Sequence, residues 1–312
     1  MSDYIPFKIQ SEIITRLPVK SVVQCRSVSK LWKSLIDSSE FITSYHTCKT
    51  QPQHHLFIRY KLANELKYVS VLDDDSFPNH KSSLTVPQPV SQLGYILTLT
   101  SVNGLLCFFG SLQDVFNKKI VVLWNPSIGK AVGVTISNSL RIPDGLTFVG
   151  FGVCPITSDP KLVRIDTTGH PTVNWESDEF GQVCLPDGLV RMYEYKISKV
   201  YESLGLFDYY KEGEKRFCDV WIMKEGATKT FTKLLSIKAP QSWVHYRVLD
   251  IRNNGEAIIE NIDDTNYSSV LQVYDPSSGR ISSMGINGSP CSFPINSYME
   301  TLLLLDQSNS II

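Results

Sequence analysis

Hydrophobic positions near the start of the chain recur at helical spacing. Ile9, Ile13 and Leu17 fall every four residues with Ile14 widening the stripe, which predicts a helix from Pro6 to Arg16, ended by Pro18. Val19, Val22, Val23 and Cys25 suit a second short helix. Val28, Leu31, Trp32, Leu35 and Ile36 suit a third, with Ser29 placed to cap it. From about Leu56 the texture changes. Short β-branched and aromatic runs such as "HLFIRY", "KYVSVL", "YILTLTSVNGLLCFFG", "KIVVLW" and "VWIMKE" alternate with turn clusters and predict strands. The chain therefore reads as α+β, a three-helix head over residues 1–46 and an all-β domain over 47–312, joined near Phe41 to Gln53.

A helical unit of about 40 residues buries too little apolar surface to be comfortably stable by itself, so the head is expected to dock on something. Its apolar stripe has two uses, packing among the three helices or meeting a partner, and composition weighs these equally. In the β part, "WNPSIGKAV" and "YDPSSGRIS" share a plan. Asn125 or Asp275 precedes proline, and Gly129 or Gly279 supplies a left-handed position before the next strand. They predict corresponding hairpins of a repeated unit. At roughly 40 to 45 residues per four-stranded blade, the β domain has room for about six, so a β-propeller is expected, with a large sandwich as the alternative.

Charge and chemistry narrow the function. A net charge of −1 provides no basic field for nucleic acid or a membrane surface, and no apolar run approaches the roughly 18 residues of a span. The stretch "MSDYIPFKIQ" lacks the basic-then-apolar order of a leader. Seven cysteines without a CxxC pair read as scattered buried thiols of a reducing compartment, so a cytoplasmic or nuclear location is expected. No G-x-S-x-G is present, and no histidine has a diagnostic partner, which argues against catalysis. His54-His55 reads as a solvated strand-edge pair and Asp73-Asp74-Asp75 as a polar turn, so no metal or cofactor is expected. Gly150-Phe151-Gly152 reads as strand rather than phosphate loop, and Lys118-Lys119 beside Phe116 as a hairpin tip.

The head resembles an F-box: Ile5-Pro6, Leu17-Pro18, Val28-Ser29-Lys30 and Trp32 stand in that family's order and spacing. The β part resembles the F-box-associated interaction domain of large plant F-box families, including the kelch-like and self-incompatibility types. The likeness lies in "SVNGLLCF", "WNPSIGK", "FVGFGVCPITSDPKLVRI", "VRMYEYKISKV", "DVWIMKEGATKTFTKLLSI", "VYDPSSGR" and "SYMETLLLL". Where that family carries further strands, this chain has only "YESLGLFDYYKEGEKR" between Val200 and Phe217, so the domain is expected to be shortened there. The resemblance implies a non-catalytic substrate receptor of an SCF (Skp–cullin–F-box) ubiquitin ligase. Its head would bind the Skp adaptor, and through it the cullin scaffold, while the β domain recruits a target protein. It implies Pro6, Ile9, Ile13, Leu17, Pro18, Val22, Cys25, Val28, Trp32 and Leu35 as adaptor contacts. The alternative is a protein- or glycan-binding module outside any ligase, with aromatic side chains at a propeller mouth.

Overall fold

The head contains four helices, α1 Phe7–Thr15, α2 Val19–Cys25, α3 Lys30–Ile36 and α4 Ser39–Cys48. The computed structural model of the protein describes residues 5–48, 53–113, 119–136, 147–153, 160–166, 194–201, 203–224, 230–240, 245–305 and 309–311. Pro6 and Pro18 sit at the N-caps of α1 and α2, where a missing N–H costs nothing. Ser29 caps α3 as its position predicts, its Oγ accepting the Trp32 N–H at 3.1 Å. The fourth helix corrects the three-helix expectation. Ser38 Oγ accepts the Phe41 N–H at 3.2 Å, and Phe41 and Tyr45, one turn apart, bury one face. Ile42 packs beside them among otherwise polar neighbours, so the periodic signal is short and much of the presumed junction is helix.

The β part begins with β1 His54–Leu62, β2 Glu65–Leu72 and β3 Lys81–Ser83. After a single helical turn, α5 Gln88–Ser91, come β4 Leu93–Val102, β5 Leu105–Leu112, β6 Lys119–Asn125 and β7 Lys130–Ile136. Next are β8 Thr147–Val153, β9 Pro160–Asp166, β10 Glu194–Val200, β11 Ser203–Glu212, β12 Lys215–Lys224 and β13 Thr230–Lys238. The last are β14 His245–Ile251, β15 Ala257–Asp263, β16 Ser268–Tyr274, β17 Ile281–Gly288, β18 Ile295–Met299 and β19 Ser310–Ile311.

Strands β10 to β13 and β14 to β17 each form a four-stranded antiparallel meander in chain order, the plan of one propeller blade. Strands β4 to β7 form a third meander, extended by β19 lying parallel to β7. A fourth sheet has the order β18-β1-β2-β3, so a strand from late in the chain lies beside the first one, and β8 and β9 pair as a hairpin. Between Val200 and Phe217 the described residues supply β11 and the start of β12, paired within the β10–β13 meander.

The chain divides into two units. The first holds residues 1–57, 68–174 and 296–312, the second 58–67 and 175–295. In the first, Trp124 is fully buried among Phe57, Tyr68 and Phe108, at ring-centroid distances of 5.6, 6.1 and 6.0 Å. In the second, Val200, Phe207, Val220, Val248 and Ile259 form the centre of a core shared by both meanders.

The two related turns are structural counterparts, as their sequences predict. Asn125 Oδ1 accepts the Ser127 N–H at 3.0 Å and Asp275 Oδ1 the Ser277 N–H at 2.8 Å, while Gly129 and Gly279 take φ of 66° and 69°. Hydrogen bonds from Ser277 and Ser278 hold the Asp275 carboxyl down to about 2. Asn125 has an additional role that an aspartate could not fill: its Nδ2 donates to the carbonyls of Thr301 and Leu303, both at 2.8 Å.

In "SVNGLLCF", Asn103 and Gly104 take φ of 51° and 80°, the left-handed pair of a two-residue hairpin turn. A Cβ on Gly104 would stand 2.3 Å from the Met299 carbonyl oxygen and 2.7 Å from Thr301 Cγ2. Gly104→Ala is therefore expected to cost more than about 1 kcal/mol. A lowered urea midpoint would register the cost, and an unchanged midpoint would refute the tight approach.

Candidate functional site

The apolar stripe of the head divides into an inward and an outward set. Ile14, Val19, Val22, Ile36, Phe41 and Tyr45 are buried in one cluster, which Leu302 and Leu305 complete. Ile9, Ile13, Val28 and Leu31 face outward at 44, 49, 64 and 57% exposure, and Ile5 joins them at 49%. A core already closed on one side leaves this second apolar face without an internal use.

Ile5, Ile13, Leu17, Cys25 and Trp32, with Gln10, line a groove of about 440 Å³. Its walls are held in place by polar contacts. Trp32 Nε1 donates to Gln10 Oε1 at 2.9 Å, and Gln10 Nε2 donates to the Ile5 carbonyl at 2.7 Å. At the end of α1, the Tyr45 hydroxyl donates to the Leu17 carbonyl at 2.7 Å, fixing the Leu17-Pro18 turn from behind. Burial, with the Glu300 carboxylate nearby, raises the Tyr45 hydroxyl well above its usual range, so it stays a donor. Arg26 grips Asp37 with two hydrogen bonds, at 2.6 and 3.0 Å, tying the end of α2 to the end of α3.

The ten residues proposed from sequence separate accordingly. Ile13, Leu17, Cys25 and Trp32 meet in the groove; Pro6, Ile9, Pro18 and Val28 are exposed; Leu35 is half-buried against the head core. Val22, at 0% exposure, lies wholly inside and is not available to a partner in this arrangement. Ile5, Leu31 and Gln10 are additions. Leu31 stood in the apolar pattern and Ile5 in the F-box likeness, whereas the bond from Trp32 to Gln10, 22 residues earlier, has no sequence signal.

Other candidate chemistry also finds its place. His55 is half-buried rather than solvated, stacked on Tyr298 at 5.3 Å with Nδ1 3.1 Å from Ser70 Oγ. Asp74 caps the polar turn by accepting the Ser76 N–H at 2.8 Å. Among the described residues no group of three His, Cys, Asp or Glu is placed to hold a metal, and no helix is long and apolar enough to cross a membrane. Cys107 and Cys218 are buried thiols, Cys107 pushed up to about 12 by burial, but Cys291 is exposed. Cys154, Cys184, Phe116 and Lys118 lie outside the described residues.

The head thus combines a closed core with an exposed apolar groove and is followed by an all-β part. Residues 3–44 match the F-box domain, and the chain is similar to plant F-box proteins. It is similar to F-box protein At5g18160 of Arabidopsis thaliana, 36% identical over 41% of this chain and 31% of that protein. It is similar also to F-box protein CPR1 of Arabidopsis thaliana, 30% identical over 52% of this chain and 37% of that one. A third, F-box protein At1g48060, is 25% identical over 81% of this chain and 76% of that protein. The match to the first two spans about a third of their length. Among solved structures, a protein from Lactobacillus plantarum covers 80% of this chain and 99% of its own, at 9% identity and a TM-score of 0.33, too low to carry an argument.

Proposed function

We propose that this protein is the substrate receptor of an SCF-type ubiquitin ligase. The exposed apolar groove of the F-box is the observation that carries this reading, since the helices behind it need no further cover. In this reading the groove and the Leu17-Pro18 turn dock on a Skp-type adaptor, which links the protein to a cullin scaffold. The β part, an F-box-associated domain of propeller-like plan, holds a target protein. Lys8, Lys20, Lys30 and Lys33, all exposed on the head, favour an acidic adaptor surface. The chain itself then makes and breaks no bonds. It raises the effective concentration of target lysines near the conjugating enzyme on the same scaffold, in the cytoplasm or nucleus.

Co-expression with a Skp adaptor, followed by size-exclusion chromatography, is expected to give a stable complex. Leu17→Ala combined with Pro18→Ala is expected to weaken it by about 2 kcal/mol or more, roughly thirtyfold, because both side chains are lost at the centre of the contact. The Tyr45 hydrogen bond goes to the Leu17 backbone and survives the change. A folded double variant with unchanged adaptor affinity would overturn the docking surface.

A further inference from the structure

In the second unit, side chains from the β10–β13 and β14–β17 meanders enclose a cavity of about 900 Å³. Its walls are aromatic. Tyr210 stacks on Phe217 with centroids 5.3 Å apart, and Tyr209 meets Tyr246 edge-on at 5.9 Å. The Tyr209 hydroxyl accepts the Val248 N–H at 2.9 Å, which locks one meander against the other beneath the cavity.

The charge of the lining is positive. Lys211, Arg216 and Arg247 line it together with His245, and among the described residues no acid does. Carboxylates stand close by: after burial, Asp219, with Glu212 and Asp208, helps raise the nearby Tyr210 hydroxyl, and two more meet the cations themselves. Glu260, fully buried, accepts from Arg247 Nη1 at 3.4 Å and from the Cys291 N–H at 2.7 Å, and exposed Asp264 pairs with His245. Arg247 is thereby braced from below while its side chain keeps 42% exposure. In the register of β11 on β12, Lys211 stands directly opposite Arg216. In that position like charges face each other across the two strands. Guanidinium groups match the planar oxygens of a carboxylate and the oxygens of a phosphate, and Tyr and Arg together are the residue types that anchor protein contacts.

We propose that this cavity binds an acidic segment of a partner protein, Arg216 and Arg247 taking carboxylate or phosphate oxygens and the aromatic walls taking a neighbouring apolar side chain. The proposal deepens the receptor reading and rests on it for one point, that the segment belongs to a ligase target.

The test uses the full chain and three short fluorescent peptides, one with glutamates beside a phenylalanine, one with phosphoserine in their place and one with glutamine. Anisotropy is expected to show binding of the anionic peptides, weakening with salt, and about tenfold or more weaker binding of the glutamine version. The tighter of the two anionic peptides identifies the source of the oxygens. Arg216→Glu is expected to reduce anionic-peptide affinity by a similar factor. It gives Lys211 an opposite charge across the strands, so its melting temperature is expected not to fall. Bound peptide is also expected to slow alkylation at Cys291, which lines the cavity, as mapped by mass spectrometry. The site is overturned by any of four results: no binding of either anionic peptide, equal binding of the glutamine version, wild-type affinity in Arg216→Glu, or no protection of Cys291. Adaptor association, measured on the same samples, reads the other assignment separately. Peptide binding without adaptor association would leave the site standing and remove the ligase.

Discussion

Leu302→Ala is expected to destabilise the F-box by about 2–5 kcal/mol, although it changes no residue of the head. Leu302 is fully buried and Leu305 nearly so, in the same cluster as Ile14, Val19, Val22, Ile36, Phe41 and Tyr45. Ile128, from the "WNPSIGK" turn, packs against this cluster as well. Just before Leu302, Glu300 lies at the N-terminus of α2, where its Oε2 accepts the Val19 N–H at 3.4 Å and meets the positive end of the helix. A four-helix head of this size gains the cover it lacks from a segment more than two hundred residues later in the chain. That segment is itself held by Asn125, whose two donated hydrogen bonds end on its carbonyls.

Urea unfolding followed by Trp32-sensitive fluorescence, together with adaptor association, measures the effect. The expected result is a lower midpoint and a loss of adaptor binding in proportion. If Leu302→Ala leaves both as in the wild type, the head closes its core without the C-terminal segment. A consequence for the SCF reading is mechanical. A head whose core includes Ile128, Leu302 and Leu305 is fixed to the unit that supplies them, so the groove keeps one orientation on that unit.

Trp124→Ala is expected to cost about 3–5 kcal/mol. The indole contacts Phe57 and Tyr68 edge-on and Phe108 at a tilt, and it is fully buried. No collapse of this cluster can fill the volume, since Phe57 and Phe108 are themselves fixed in strands of two different sheets, β1 and β5. Trp124 Nε1 is buried with no hydrogen-bond partner among the described residues. Trp124→Phe removes that desolvated donor along with part of the ring, so it is expected to cost much less than alanine. Chemical denaturation of the two variants checks the pair. Equal losses would mean that ring volume plays no part, contrary to the packing described here.

Much of the head was legible because its signals are local. Pro6 at the start of α1, Pro18 beyond its end, Ser29 before α3 and four-residue apolar spacing act within a turn of the chain, and each works in the structure as it does in a peptide. The paired "NPSIG" and "DPSSG" turns were legible for the same reason, whereas the Asn103-Gly104 turn splits into two strands what reads as one run. Helix α4 was not, because Phe41, Ile42 and Tyr45 in a polar stretch define a face only when a core is present to receive them. Nor was the use of each apolar residue: Ile13 and Ile14 are neighbours of similar hydrophobicity, yet one is half exposed in the groove and the other is buried.

The sequence by itself determined the α+β order, the F-box, the turn chemistry and the strand-rich body, since these depend on contacts a few residues apart. Tertiary structure alone decided three things. It closed the head core with Leu302 and Leu305, removed Val22 from the candidate surface, and gathered Arg216, His245, Arg247 and Cys291 around one cavity. The physical reason is the same in each case. Burial and cross-strand register depend on which distant segments meet, and no local periodicity encodes that meeting.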